Sequence, residues 1–279
     1  MANQPNQQPT IAIVTGASRG IGPYIVRALS EAGHPVVLTA RDGPALEEQA
    51  RAIRQAGRVA QAVPADITVA ADRERIVAAA RAMGPIGILV NNAAVGPIRH
   101  FDDHAAAEVV GVVDVNLVAP IELSRLVITE MLGTGGGRIV NVSTVAAKLP
   151  MPDMVLYSVT KAGLAQLSAA IDLEFRDRGI RSTTVFPGAV AEVGMAVRAV
   201  AETGVDIPSD GAVRPEVVAD AVLAATRATR SEVYVGTGSK FMSGHHRVAY
   251  ALMRRAGEFA KLREAADRAG DNARAANAA

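Results

Sequence analysis

Ile11-Ala12-Ile13-Val14-Thr15-Gly16-Ala17-Ser18-Arg19-Gly20-Ile21-Gly22 is the stretch whose reading decides the fold. Its first four residues are apolar without a break, as in a strand buried on both faces of a parallel sheet. Gly16 follows at the turn, and Gly20 and Gly22 open a helix running through Tyr24, Ile25, Ala28 and Leu29. Pro23 suits the first helical turn, where its missing N–H would have no partner. Without Cβ atoms in the way, a pyrophosphate can approach this backbone, and the helix N-terminus offers it free N–H groups and a positive dipole end.

Working outward, apolar strand-like runs beginning near Ile11, Val36, Val59, Ile88, Ile139, Thr183 and Val233 alternate with helical segments. That alternation predicts an α/β fold, a doubly wound parallel sheet of about seven strands in one domain, with ligands outside the carboxyl ends of the strands. The expected boundaries are a disordered tail over 1–9, the domain over 10–240, a helical extension over 241–270 and a second disordered tail over 271–279. Residues 189–214, rich in Gly and Pro, are the least regular part. Within the extension, Val248, Leu252, Phe259 and Leu262 share one side of a helix, to be packed on the domain, on a second subunit or on a membrane surface.

A second motif, Tyr157-Ser158-Val159-Thr160-Lys161, carries chemistry. Residues four apart share a helix face, so Lys161 stands near the Tyr157 hydroxyl. A free phenol has a pKa of about 10, and a nearby ammonium is expected to draw it down. Such a phenol exchanges a proton with a carbonyl or alcohol oxygen.

Composition narrows the field. Apolar residues make up 49% of the 279, enough for a large core, whereas aromatics are only 3%. A net charge of +1 with no basic block argues against nucleic acid. No cysteine is present, which excludes disulfides and thiol chemistry. No apolar run reaches the roughly 18 residues of a membrane span. The polar start does not read as a signal peptide, so a cytoplasmic enzyme is expected. His245-His246 lack a clear third ligand, and no metal is expected.

The spacing Thr15-Gly16-x-x-x-Gly20-x-Gly22 resembles the glycine motif of the short-chain dehydrogenase/reductase family. Further motifs follow in the family's order: Asp66-Ile67, Asn91-Asn92-Ala93-Ala94 (Ala94 replacing a usual glycine), Asn116, Arg138 to Thr144, Tyr157 with Lys161, and Phe186-Pro187-Gly188. The resemblance implies a Rossmann-type fold and hydride transfer between a dinucleotide and a carbonyl or alcohol. By resemblance Tyr157 is the acid/base, and Lys161 lowers its pKa and contacts the nicotinamide ribose. Asn116 positions a water, and a hydroxyl after the fifth strand orients the substrate oxygen. Counting thirteen residues back from Tyr157 gives Thr144 as that hydroxyl, with Ser143 as the alternative.

The cofactor contacts implied are Gly16, Ser18, Arg19, Gly20, Ile21, Gly22, Arg41, Asp66, Ile67, Asn92, Ala93, Tyr157, Lys161, Pro187, Gly188 and Val190. Strand two ends in Ala40-Arg41 where users of NAD commonly carry aspartate. With Arg19 this predicts NADP(H) over NAD(H), and Asp42 complicates the reading. Residues 189–214 correspond to the family's lid, and Glu192 replaces a threonine that contacts the cofactor. Val95, Pro97, Ile98, Leu149, Met151, Met154, Leu156 and Met195 are expected to line an apolar substrate pocket. Arg99, Lys148 and Arg198 read as solvated surface charges, with contact to a carboxylate or phosphate of the substrate as the alternative. The expected function is that of an NADP(H)-dependent ketoreductase or alcohol dehydrogenase, assembled as a homodimer or homotetramer. A non-catalytic dinucleotide sensor on the same fold is the alternative.

Overall fold

The computed structural model describes residues 9–149, 151–194 and 212–236. Its strands are β1 (Ile11–Thr15), β2 (Val36–Ala40), β3 (Ala60–Pro64), β4 (Ile86–Asn91), β5 (Gly137–Val142), β6 (Ile180–Pro187) and β7 (Glu232–Val235). They form one seven-stranded sheet in the order β3-β2-β1-β4-β5-β6-β7, and every pairing is parallel. The helices are α1 (Gly22–Glu31), α2 (Gly43–Gln55), α3 (Ala70–Met83), α4 (Ala106–Val113), α5 (Ala119–Gly133), α6 (Val155–Phe175) and α7 (Pro215–Ala225).

Strand alternation sorts the core into two layers. Ala12, Val14, Val36, Leu38, Ile88, Val90, Val140 and Val142 face Ile25 and Leu29 of α1, Leu46 of α2, and Val218 and Val222 of α7. Ile11, Ile13, Val37, Leu89 and Ile139 face Ile76 of α3, Leu123 and Val127 of α5, and Ile171 of α6. Both faces are therefore covered, which is why β1 and β4 read as unbroken apolar runs. Ile13, Leu29, Leu38 and Leu89 are wholly buried, and each such side chain contributes about 1.5–3 kcal/mol relative to exposure.

The expected architecture is present, with shifts at strand ends. β5 begins at Gly137 and β6 at Ile180, two and three residues earlier than their apolar cores predict. Gly137 pairs with Ile180, and a side chain there would collide with Met131 Sδ at 2.3 Å. In the sequence the glycine-rich run from Gly133 to Gly137 reads as a turn before a strand, but Gly137 is itself the first strand residue, past which α5 packs. Among the described residues no helix is long and apolar enough to cross a membrane. The expectations for 241–270 (with His245-His246), 271–279, Met195 and Arg198, residues 195–211 of the lid, and nearly all of the 1–9 tail lie outside the described residues.

Candidate active site

The sheet order reverses between β1 and β4, and the crevice beyond their carboxyl ends is where open α/β sheets bind ligands. Two motifs interlock there. Thr15 Oγ1 donates to the Val90 carbonyl at 3.3 Å and accepts from the Asn92 and Ala93 amides, each at 3.0 Å. Asn92 Nδ2 donates to the carbonyls of Thr15 at 2.9 Å and Gly16 at 3.1 Å. Gly16 has φ +64°, and a Cβ on it would lie 2.7 Å from Ala93 Cα. At Gly22 a Cβ would lie 2.1 Å from the Gly16 carbonyl oxygen.

This cradle fits a dinucleotide's diphosphate. Helix α1 starts at Ile21 with no side-chain cap and no acid in its first turn, so its N-terminal amides and dipole suit an anion. Helix α2, by contrast, is capped: Asp42 accepts from the Ala45 amide at 3.1 Å. That contact engages one carboxylate oxygen of Asp42 with the start of α2. Arg19 and Arg41 are both exposed at this end of the sheet. Ser18 lends its carbonyl to Gln49 Nε2 at 3.3 Å, joining the glycine turn to α2.

The other residues the resemblance assigns to the cofactor sit at neighbouring strand ends. Asp66 follows β3, with Oδ1 accepting from the Thr68 amide and hydroxyl at 3.0 and 2.7 Å. Ile67 is buried beside it. After β6, the Gly188 amide donates to the Val235 carbonyl at 3.0 Å, and Val190 is bridged to Val213. The segment then turns back over the glycine turn, where Gly194 Cα lies 3.7 Å from a Cβ built on Gly20. Glu192, exposed and at φ 64°, lies on this return.

Helix α6 carries Tyr157 and Lys161 one turn apart, with 7% and 1% of their surfaces exposed. Lys161 Nζ donates to the Val142 carbonyl at 2.8 Å and lies 5.8 Å from the Tyr157 ring centroid. Burial pushes the Lys161 ammonium down to about 7 and pushes the Tyr157 phenol above its ordinary value of 10.0. The expectation that Lys161 draws the phenol downward is thus corrected, since desolvation governs both groups. Burial disfavours the charged form of both groups.

Asn116 lies in a single π-helical turn, Asp114–Val118, that joins α4 to α5. It is wholly buried, and its Oδ1 accepts from the Val95 amide at 2.8 Å. Its Nδ2 donates to the Val95 carbonyl at 2.7 Å and to Thr160 Oγ1 at 3.1 Å. The side chain thereby clamps the loop after β4 to the helix bearing Lys161. π-Turns of this kind are frequent at functional sites.

The two hydroxyls after β5 part company. Ser143 is buried and donates to the Lys161 carbonyl at 2.9 Å. Thr144, in extended backbone, is half-buried and caps a short turn by accepting from the Ala146 amide at 3.3 Å. Of the expected pocket residues, Leu149 and Leu156 are buried, Val95, Pro97, Ile98 and Met154 half-buried, and Met151 is exposed.

Two of the cations read as solvated surface charges have carboxylate partners instead. Arg99 pairs with Glu108 at 3.4 Å, and Lys148 with Glu232 at 2.7 Å. The Arg99 amide also donates to the Asp153 carbonyl at 3.1 Å, which holds the loop after β4 against the approach to α6. Sequence reasoning missed Thr15 as the hub of the cradle and Thr160 as the partner of Asn116. Each is next to a motif residue, but nothing local marks a hydroxyl as a link across the fold. Among the described residues no group of His, Asp or Glu is placed to hold a metal ion.

Residues 10–203 match the family model described as short chain dehydrogenase. The chain is 36% identical over 225 residues to the ketoacyl reductase HetN of Nostoc sp., covering 80% of this chain and 77% of the relative. It is similar to the structure of a metagenomic short-chain oxidoreductase in complex with NADP, at 34% identity and TM-score 0.69 over 81% of this chain and 96% of the other. It is also similar to a variant of actinorhodin polyketide ketoreductase with NADPH, at 29% identity and TM-score 0.77 over 86% and 99%.

Proposed function

The chain belongs to the short-chain dehydrogenase family, and we propose that it interconverts a carbonyl compound and its alcohol with NADP(H) as hydride carrier. The observation that carries this reading is the buried Tyr157–Lys161 pair of α6, set at the same end of the sheet as the uncapped α1 and the Thr15–Asn92 cradle. NADPH, when bound, supplies the hydride to the carbonyl carbon.

Tyr157 gives its proton to the carbonyl oxygen, and burial keeps that proton in place until it is needed. Lys161, held to the Val142 carbonyl, places its charge beside the phenolate that forms. Thr144 donates to the same oxygen as negative charge develops on it. In the oxidative direction each proton moves back. Gly16, Gly20 and Gly22 receive the diphosphate, and Gly188 and Val190 border the nicotinamide. Asp66 and Ile67 border the adenine.

Arg19 and Arg41 favour a 2′-phosphate, because both are exposed beyond β1 and β2 while one carboxylate oxygen of Asp42 is engaged at its helix cap. The named neighbours with NADP and NADPH are consistent with this choice. Half-buried and buried aliphatic side chains after β4 and β5 favour an apolar, uncharged carbonyl substrate. Assembly as a homodimer or homotetramer belongs to the same reading, supported by the exposed Val118, Ile121, Val155 and Val159 on α5 and α6 and the turn before α5.

The test is a panel of ketones, aldehydes and alcohols, followed by NADPH absorbance and run beside Tyr157→Phe. Turnover in the parent and its loss in the variant are expected. Tight NADPH binding with no carbonyl reduced would instead leave a dinucleotide sensor.

A further inference from the structure

Lys148, Glu232 and Tyr234 form a strap between the loop after β5 and the edge strand β7. Lys148 Nζ lies 2.7 Å from Glu232 Oε1, and the Tyr234 hydroxyl donates to Glu232 Oε2 at 2.6 Å. The Tyr234 ring stacks on Phe186, with centroids 4.9 Å apart and planes inclined by 13°. The Lys148 ammonium stands 5.2 Å from the centroid of the same Phe186 ring. Phe186 is wholly buried and immediately precedes Pro187-Gly188.

Lys148 is also the far end of the turn that Thr144 begins. The Lys148 amide donates to the Val145 carbonyl at 3.0 Å, and the Ala147 amide to the Thr144 carbonyl at 3.1 Å. One carboxylate, on Glu232, therefore anchors the hydroxyl-bearing turn through Lys148 and braces the nicotinamide-side loop through Tyr234 and Phe186.

Stability does not account for the strap. The Lys148 and Glu232 side chains are 33% and 39% exposed, and solvent-accessible ion pairs contribute only about 0–1 kcal/mol. Its effect is geometric. Both carboxylate oxygens are engaged, the tyrosine is held by its ring, and the lysine cannot leave without abandoning both the carboxylate and the aromatic face. A turn of three residues fixed at one end by β5 and at the other by this strap has little freedom left.

We infer that Lys148 and Glu232 are positioning residues, which hold the 144–148 turn so that the Thr144 hydroxyl meets the reacting oxygen. The inference rests on Thr144 being the hydroxyl of the proposed reaction. A misplacement of 1 Å can cost about 10²-fold in rate, so a loosened but intact turn should cost about tenfold.

The experiment compares kcat, KM and NADPH Kd for Lys148→Gln, Glu232→Gln and Lys148→Arg, and for Lys148→Gln in a Thr144→Ala background. Expected are roughly tenfold losses of kcat in both Gln variants with NADPH Kd unchanged, and recovery in Lys148→Arg. In the Thr144→Ala enzyme, Lys148→Gln should cost nothing more, because coupled residues are not additive. Normal kcat in Lys148→Gln, or a full tenfold loss on top of a slowed Thr144→Ala enzyme, overturns the strap's role alone. A Thr144→Ala enzyme with parental kcat overturns the assignment of Thr144 and the strap's purpose with it.

Discussion

The Ser143 hydroxyl donates to the main-chain carbonyl of Lys161, so the strand end and the helix of the acid/base pair are tied directly together. That bond fixes Ser143 toward α6. Extended backbone at Thr144, with φ −162° and ψ 157°, puts successive side chains on different sides, so the Thr144 hydroxyl is not committed to the Lys161 carbonyl. Thr144→Ala should lower kcat by about 10²-fold, the usual loss of one oxyanion donor. Ser143→Ala should cost about 0.5–1.5 kcal/mol of stability, as a lost buried hydrogen bond does, with a far smaller change in kcat. Steady-state rates and denaturation midpoints of the two variants separate the roles, and the reverse ranking of rates would reassign the hydroxyl.

Tyr157→Phe removes the proton donor and little else. Turnover should fall by about 10²–10⁴-fold while NADPH affinity stays close to parental, measured by fluorescence titration. Near-normal kcat would place the acid elsewhere.

Lys161 predicts a pH dependence of stability. Its pKa falls from an ordinary 10.5 to about 7 in the folded chain. Between those values the unfolded chain binds a proton that the native one does not, so stability rises with pH from about 7 toward 10. Below 7 both states are protonated and Lys161 adds no slope. Above 10 the raised Tyr157 phenol acts in the opposite sense, because the unfolded chain loses its proton first. Urea denaturation across pH 6.5–9.5 should show the rise, and Lys161→Met should flatten it. An equal slope in both proteins would mean that burial does not govern this ammonium.

Replacing Arg41 with Ala should shift cofactor choice. A charged hydrogen bond to phosphate is worth about 1.5–3 kcal/mol, so the NADPH/NADH ratio of kcat/KM should drop by roughly 10–100-fold, with Arg19→Ala acting in the same direction. Parental values that are equal for the two cofactors, or that favour NADH, would sink the assignment.

Gly16→Ala combines a left-handed backbone with a 2.7 Å approach to Ala93 Cα. Strain of this kind costs about 1–3 kcal/mol, and NADPH binding should weaken along with the denaturation midpoint. Unchanged affinity would separate the cradle from the cofactor.

Much of this was legible in the chain because its signals are local. Ile11 to Val14, Gly16 and Pro23 each act within one turn or strand, so the strand, the turn and the helix could be placed from their own residues. That the sheet is parallel and doubly wound followed from general rules of crossover and connection, whereas the order of its strands is read from the structure. Three things were not legible. Burial at Tyr157 and Lys161 is a sum over the whole fold, and it reversed the expected direction for the phenol. The partner of Lys148 lies 84 residues away, and an exposed-looking cation carries no mark of such a pairing. Gly137 gave a turn signal although its reason for being glycine is Met131 on a neighbouring helix.

The Thr15–Asn92 interlock has a bearing on how the chain is made. The glycine turn is complete in the first tenth of the polypeptide, but the groups that clamp it, from Val90 to Ala93, lie 75 to 78 residues further along. A ribosome that has released β1, β2 and β3 has therefore released every glycine of the motif and its ties to β2 and α2, but not the Asn92 side of the clamp. Closing so long a loop is slow relative to local folding, so the clamp on the glycine turn is complete only once β4 has docked.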